Sequence, residues 1–265
     1  MPAHEIDFEI FGEEMQFVEI ELDPQETVIA ESGAMMMMDD GIEMATIFGD
    51  GSSSGGSGLL GKLVGGAKRL VTGEGLFMTA FTHTGRGKAR VSFASPYPGS
   101  IVPLDLAQFG GKVVCQKDAF LCAAKGVSVG IEFSRKLGRG LFGGEGFIMQ
   151  KLEGDGLAFC HAGGVVIEKV LPPGEVLRVD TGCLVAYSAG VSYDIEMVKG
   201  VRNKFFGGEG FFFATLRGPG RVWIQSLPFA RLASRVLQNA GTGGKGEGSV
   251  LGQLGDLLDG DGFLS

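Results

Sequence analysis

The sequence predicts an all-β protein: three tandem homologous β units in a pseudo-threefold arrangement, closed by a short C-terminal helix. Three observations predict it. First, 47 of the 265 residues are Gly and 20 are Phe, with 44% hydrophobic residues overall. No Gly-x-y period runs through the chain, so the glycines read as turns between short strands rather than as collagen. Second, the tripeptide Gly-Glu-Gly followed by an apolar run occurs three times. Third, the runs between turns alternate at period two and favour β-branched and aromatic residues.

The repeat is most legible in its last two copies. Phe142-Gly143-Gly144-Glu145-Gly146-Phe147 returns 64 residues later as Phe206-Gly207-Gly208-Glu209-Gly210-Phe211. Gly126-Val127-Ser128 returns as Gly190-Val191-Ser192, and Leu152, Gly154 and Gly156 return as Leu216, Gly218 and Gly220. The first copy is more diverged. Asp23-Pro24-Gln25-Glu26 resembles Pro172-Pro173-Gly174-Glu175, and its own block is Gly73-Glu74-Gly75-Leu76. Self-similarity on this scale reads as a modular array.

In chain order, Ile6, Phe8 and Ile10 alternate with acids, and Phe17-Val18-Glu19-Ile20 follows Gly12, which makes an opening hairpin. That hairpin and the first unit occupy residues 1–95, with a flexible Gly/Ser insertion at about 49–58. The second unit spans 96–162 and the third 163–227. Within the third, Val176-Leu177-Arg178-Val179, Cys183 to Tyr187 and Tyr193 to Met197 read as strands. Gly218-Pro219-Gly220 turns into a last strand at Arg221 to Gln225. Residues 228–240 form an amphipathic helix, with Phe229, Leu232, Ala233 and Val236 on one face. Residues 241–265 are a Gly-rich tail.

Composition narrows the function classes. The formal net charge is -8, from 23 Lys and Arg against 31 Asp and Glu. That balance opposes a global attraction to nucleic acid. The first residues lack the basic and apolar regions of a secretory signal, and no run of 18 apolar residues occurs. The expectation is a cytoplasmic protein, peripheral to a membrane if it meets one. Cys115, Cys122, Cys160 and Cys183 form no Cys-x-x-Cys pair and read as reduced, mostly buried thiols.

Several motifs together resemble a known family. They are Glu31-Ser32-Gly33-Ala34-Met35-Met36 after the hairpin, the three Gly-Glu-Gly blocks, and Trp223-Ile224-Gln225-Ser226-Leu227-Pro228-Phe229. Their order is similar to that of the mitochondrial-biogenesis family named for altered inheritance of mitochondria, with its uncharacterised bacterial homologues. The resemblance implies a fold like the tryptophan RNA-binding attenuator protein (TRAP), a short double-stranded β-helix. It implies no catalytic residues.

The residues themselves offer little catalytic chemistry. Cys160-His161 is the one adjacent nucleophile and base, but strand neighbours point to opposite faces. His4, His83 and His161 lack metal-ligand spacing, so neither a metal nor a cofactor is expected. Glu74, Glu145 and Glu209 recur once per unit, where threefold symmetry could gather them; the competing reading is a bend entering a strand. No Gly-Lys-Ser/Thr follows the Gly-rich pieces, so they are not phosphate loops.

The segments before each Gly-Glu-Gly are more telling. They mix bulky apolar residues with cations: Lys62, Lys68 and Arg69, then Arg135, Lys136 and Arg139, then Lys199, Arg202 and Lys204. This is the composition of an interfacial membrane segment or a partner-binding face. The competing reading is a connector whose Leu and Phe pack on a sheet while its cations face water. The sequence therefore favours a non-enzymatic scaffold or interaction protein that contacts an anionic lipid surface or a protein partner, with homo-oligomer formation open to it. Nucleic-acid binding, by fold analogy, and an enzyme of unrecognised type are the alternatives.

Overall fold

The computed structural model describes residues 2–31, 33–48, 77–135, 147–197 and 212–240. In chain order, β1 (Asp7–Phe11) and β2 (Phe17–Leu22) form the opening hairpin, and β3 (Thr27–Glu31), β4 (Met35–Met38) and β5 (Ile42–Phe48) follow. Next come β6 (Phe77–His83), β7 (Ala89–Ala94), β8 (Gly99–Asp105), β9 (Lys112–Gln116), β10 (Phe120–Ala124) and β11 (Ser128–Arg135). Then β12 (Phe147–Glu153), β13 (Leu157–Gly163), β14 (Val166–Leu171), β15 (Val176–Asp180) and β16 (Leu184–Ser188) follow. The last strands are β17 (Ser192–Met197), β18 (Phe212–Arg217) and β19 (Gly220–Gln225), before the helix α1 (Phe229–Ala240). The chain is therefore mostly β, as its composition indicates. The apolar run after each Gly-Glu-Gly is a strand: β6, β12 and β18.

The strands pair antiparallel in four sheets. Their orders are β1-β2-β7-β4, β5-β6-β3-β10-β13-β8, β11-β12-β9-β16-β19-β14 and β15-β18-β17. Burial follows from how many faces each sheet covers. In β2 the side chains alternate, with Val18, Ile20 and Leu22 fully buried and their neighbours half-buried. In β10 and β16 all five residues are buried. These central strands feed two cores at once. Ile29 joins one cluster with Cys115, Leu152 and Trp223, whereas Val28 and Ala30 join another with Phe81, Phe93 and Phe159. Val114 turns to a third, with Phe147, Met149 and Leu216. Each fully buried Val, Leu, Ile, Phe or Met contributes about 1.5–3 kcal/mol, so two-faced burial supplies much of the driving force.

The ladders repeat in register. Ser128 pairs with Glu153, and Ser192, 64 residues on, pairs with Arg217. One irregularity recurs three times: Met35 and Met37 face Phe93 and Ser92, Phe120 and Cys122 face Cys160 and Phe159, and Leu184 and Ala186 face Ile224 and Trp223. Each skips a residue, which bends the strand at that point. Three turns also share one construction. Gln25, Gly110 and Gly174 have φ of 73°, 72° and 80°, in the left-handed region. The carbonyl of the next residue then accepts a backbone N–H at 3.0 Å in each: Glu26 from His83, Gly111 from Gly154, and Glu175 from Gly218.

Residues up to Pro228 form one compact unit, and α1 belongs to a second. The helix begins one residue after Pro228 and runs to Ala240, with Leu232 and Ala233 half-buried and Phe229, Val236 and Leu237 exposed.

The three turns generate a test. A Cβ at Gly174 would meet nothing within 4 Å, so only backbone conformation opposes a side chain there. Gly174→Ala is expected to lower unfolding stability by about 1–2 kcal/mol. Gln25→Gly is expected to leave stability unchanged or raise it by up to about 1 kcal/mol, since relief of the left-handed strain offsets the entropy of Gly. Urea unfolding followed by Trp223 fluorescence measures both. A neutral Gly174→Ala would sink the argument.

Candidate functional site

Most of the residues that the sequence marks as functional lie outside the described part of the structure. Lys62, Lys68, Arg69, Lys136, Arg139, Lys199, Arg202 and Lys204 fall there, as do Glu74, Glu145 and Glu209. Arg135 ends β11, its backbone paired with Phe147. Among the described residues, no three His, Cys, Asp or Glu side chains converge as a metal site.

The histidines serve local structure. His4 Nδ1 accepts from the Thr27 N–H at 3.0 Å. His83 lies between the Gly41 and Gly87 carbonyls, 3.3 and 3.1 Å from its two ring nitrogens. His161 packs edge-on against Tyr97 at 4.6 Å between ring centroids. Cys160 and His161 point apart, as their strand positions require. Cys160 enters the core beside Cys115, whose thiol is pushed well up by contact with Cys160 and by burial. Raised thiols are poor nucleophiles. At the end of β3, Glu31 keeps a face to solvent, but packing around it, and then Asp118, push its carboxyl up to about 7.

A cavity of about 260 Å³ lies beside the third and fourth sheets. Lys112 and Val114 of β9 line it, with Glu132 and Phe133 of β11. Tyr187, Ala189, Val191 and Tyr193, from the end of β16 to the start of β17, complete it. The rings of Tyr187 and Tyr193 stack at 5.5 Å with 4° between planes, and Phe133 lies 5.1 Å from Tyr193. Lys112 Nζ donates to both Glu132 oxygens, at 2.9 and 3.0 Å. Burial, with Glu132 and Cys115 nearby, raises the Tyr187 hydroxyl further from ionisation. A wall of rings beside a neutralised charge pair suits binding of a flat group. The sequence reading missed it, although two of the three tyrosines lie within seven residues.

His161 yields a pH prediction. Burial lowers its imidazole to about 4 from an ordinary 6.5. The unfolded chain takes up this proton below about 6.5, and the folded chain does not until about 4. His161 therefore weakens folding progressively as pH falls through that window. Gln225 follows Ile224 as His161 follows Cys160, and it accepts from the Gly163 N–H at 2.7 Å while donating to the Gly182 carbonyl at 2.9 Å. His161→Gln is expected to lose less stability than the native chain between pH 6.5 and 4.5, Glu31 being common to both. Urea midpoints across that range test this, and equal losses would refute it.

The family described as mitochondrial biogenesis AIM24 matches residues 8–227. An uncharacterised protein of Streptococcus pyogenes serotype M6 is 34% identical over 227 residues, covering 84% of this chain and 86% of the other. A crystal structure of a Streptococcus pyogenes protein superposes with a TM-score of 0.68 at 25% identity, covering 89% of this chain and 100% of that one. With a match from the first strand to the end of the last, the chain belongs to the AIM24 mitochondrial biogenesis family.

Proposed function

We propose that this chain is a non-enzymatic interaction scaffold, cytoplasmic and peripheral to an anionic membrane surface. Its rigid body is a set of three tandem β units in the pseudo-threefold, TRAP-like arrangement; the recurring registers and turns support that arrangement. The observation that carries the interaction reading is apolar surface on strands that end their sheets. Met36, Met37 and Met38 on β4 are 39–48% exposed, and Met44 on β5 is 49% exposed. Val165 beside β14, and Ile167 and Val170 on it, are 52–67% exposed. Edge strands with exposed apolar groups are contact sites unless charges guard them. β14 carries Glu168 and Lys169 between its apolar residues; β4 carries no charge. Methionine suits an adaptable contact because its side chain is flexible and polarizable. The same edges suit self-association into a homo-oligomer.

The lipid part rests on the cationic connectors. Each cation near an anionic surface contributes about 1 kcal/mol, and salt weakens it. Among the described residues no helix is long and apolar enough to cross a membrane. A peripheral contact accords with that.

Vesicle flotation tests the reading. The native chain is expected to float with phosphatidylserine-containing vesicles at low salt and to release as salt rises. Arg135→Glu, Lys136→Glu and Arg139→Glu together remove at least about 3 kcal/mol, roughly a hundredfold in affinity. Failure of the native chain to float would overturn the lipid contact and leave a protein partner as the reading. Tight retention of RNA on a filter would overturn the scaffold reading in favour of nucleic-acid binding.

A further inference from the structure

We propose that the cavity beside Lys112, Tyr187 and Tyr193 binds an extended peptide segment of a partner protein that presents a flat-ring side chain. The proposal rests on the interaction reading above and gives it a contact point separate from the connectors.

The chain already holds such a segment at the matching place on another sheet. β3 pairs with β10 through Val28↔Ala124, Ile29↔Ala123 and Ala30↔Cys122. β9 pairs with β16 through Val113↔Ser188, Val114↔Tyr187 and Cys115↔Ala186. The two pairs share one register, and each is the central pair of a six-stranded sheet. On β3 and β10, the residues flanking the last pair grip His4. The His4 N–H donates to the Lys125 carbonyl at 2.8 Å, and His4 Nδ1 accepts from the Thr27 N–H at 3.0 Å. In the other pair the flanking residues are Lys112 and Ala189, and both line the cavity. The place that His4 fills on one sheet corresponds, among the described residues, to the cavity on the other.

The lining defines the occupant. Tyr187 stands where β10 has Ala123, so a ring takes the ladder position that a methyl group takes on the other sheet. Tyr187, Tyr193 and Phe133 form an aromatic wall, which favours another ring in offset or edge-on contact. The Lys112–Glu132 pair is neutral as a whole and supplies donors and acceptors to a peptide backbone. A ligand of strong net charge gains nothing from it. The volume is below the usual range for a small-molecule pocket, about 300–1,000 Å³, and suits one ring with its flanking backbone. Recognition of an extended segment through main-chain bonds and one side-chain pocket is a general mode of peptide binding.

The full chain with ring-labelled tyrosine permits a direct test, because it contains only three tyrosines. The probe is the capped tetrapeptide Ala-His-Glu-Ile, the sequence of residues 3–6. Two companions carry Phe or Ala in place of His. The His and Phe peptides are expected to shift the Tyr187 and Tyr193 ring signals saturably at up to millimolar concentration, leaving Tyr97 unmoved. The Ala peptide is expected to bind at least tenfold more weakly. Ala189→Leu, which fills the cavity, is expected to abolish the shifts. If that variant does not fold, Glu132→Gln serves in its place, with at least a threefold loss expected. Unmoved Tyr187 and Tyr193 signals, equal binding of the Ala peptide, or unchanged binding by the folded variant would each overturn the proposal. Vesicle flotation reports the connectors and not the cavity. Lost peptide binding with intact flotation therefore defeats this inference alone, and the reverse defeats only the lipid contact.

Discussion

The structure depends on the central strands of two six-stranded sheets, β10 and β16, which bury both of their faces. A strand so placed has no solvent side, which favours residues that are apolar, small, or internally bonded. Phe120-Leu121-Cys122-Ala123-Ala124 and Leu184-Val185-Ala186-Tyr187-Ser188 meet that demand. The same constraint places Cys115, Cys122 and Cys160 in the interior, where they act as small apolar groups rather than reagents. It also accounts for polar exceptions. Ser188, buried between strands, accepts the Arg221 N–H at 2.9 Å, and Gln225 spans two backbone groups. A buried polar group without such bonds would cost about 1–3 kcal/mol.

Two-faced burial also leaves the surface work to the edges and ends. Within a central strand, alternate side chains enter different clusters, so the strand ties two clusters together. β4 and β14 have no strand on one side among the described residues, and several of their apolar side chains meet solvent. Salt bridges lie instead across the inner strands β2 and β7 of the first sheet. Lys88 and Arg90 of the β7 hairpin reach Glu21 at 2.5 and 3.0 Å, although exposed pairs of this kind contribute at most about 1 kcal/mol each.

Local grammar was readable in the sequence, and long-range pairing was not. The Gly-Glu-Gly blocks announced the starts of β6, β12 and β18, and the likeness of Asp23-Pro24-Gln25-Glu26 to Pro172-Pro173-Gly174-Glu175 announced turns with the same bonds. Turn chemistry is local, so four residues suffice to specify it. The pairing of β3 with β10 joins residues more than ninety positions apart, and no short pattern encodes that. A run such as Phe-Leu-Cys-Ala-Ala lacks alternation, because both its faces are buried, and reads ambiguously between strand and helix. The cavity was hidden for a related reason. Lys112 and Glu132 meet only because β12 lies between their strands in the sheet. Tyr187 and Tyr193 stack only because the turn between them folds back. The connector cations were legible as composition, but composition supplies no geometry.

One ladder position shows how equivalent strands diverge in use. Beyond the ladder in which Ala123 opposes Ile29, the N-terminal segment is bonded to Thr27 and Lys125, with Ile6 buried and Ala3 packed near two cores. Ordering those residues costs about 1–2 kcal/mol of backbone entropy each. The His4 bonds and the buried Ile6 offset that cost, and the segment stays. At the matching place Tyr187 opposes Val114, and its ring stacks on Tyr193. No segment of the described chain lies there. A ligand at that place would have to supply for itself the burial and bonding that residues 3–6 supply on the other sheet. Its affinity is then set by one ring and a few backbone bonds, which makes the contact weak and reversible. Such a contact accords with a scaffold whose stability resides in its cores and whose recognition is left to positions that the cores do not need.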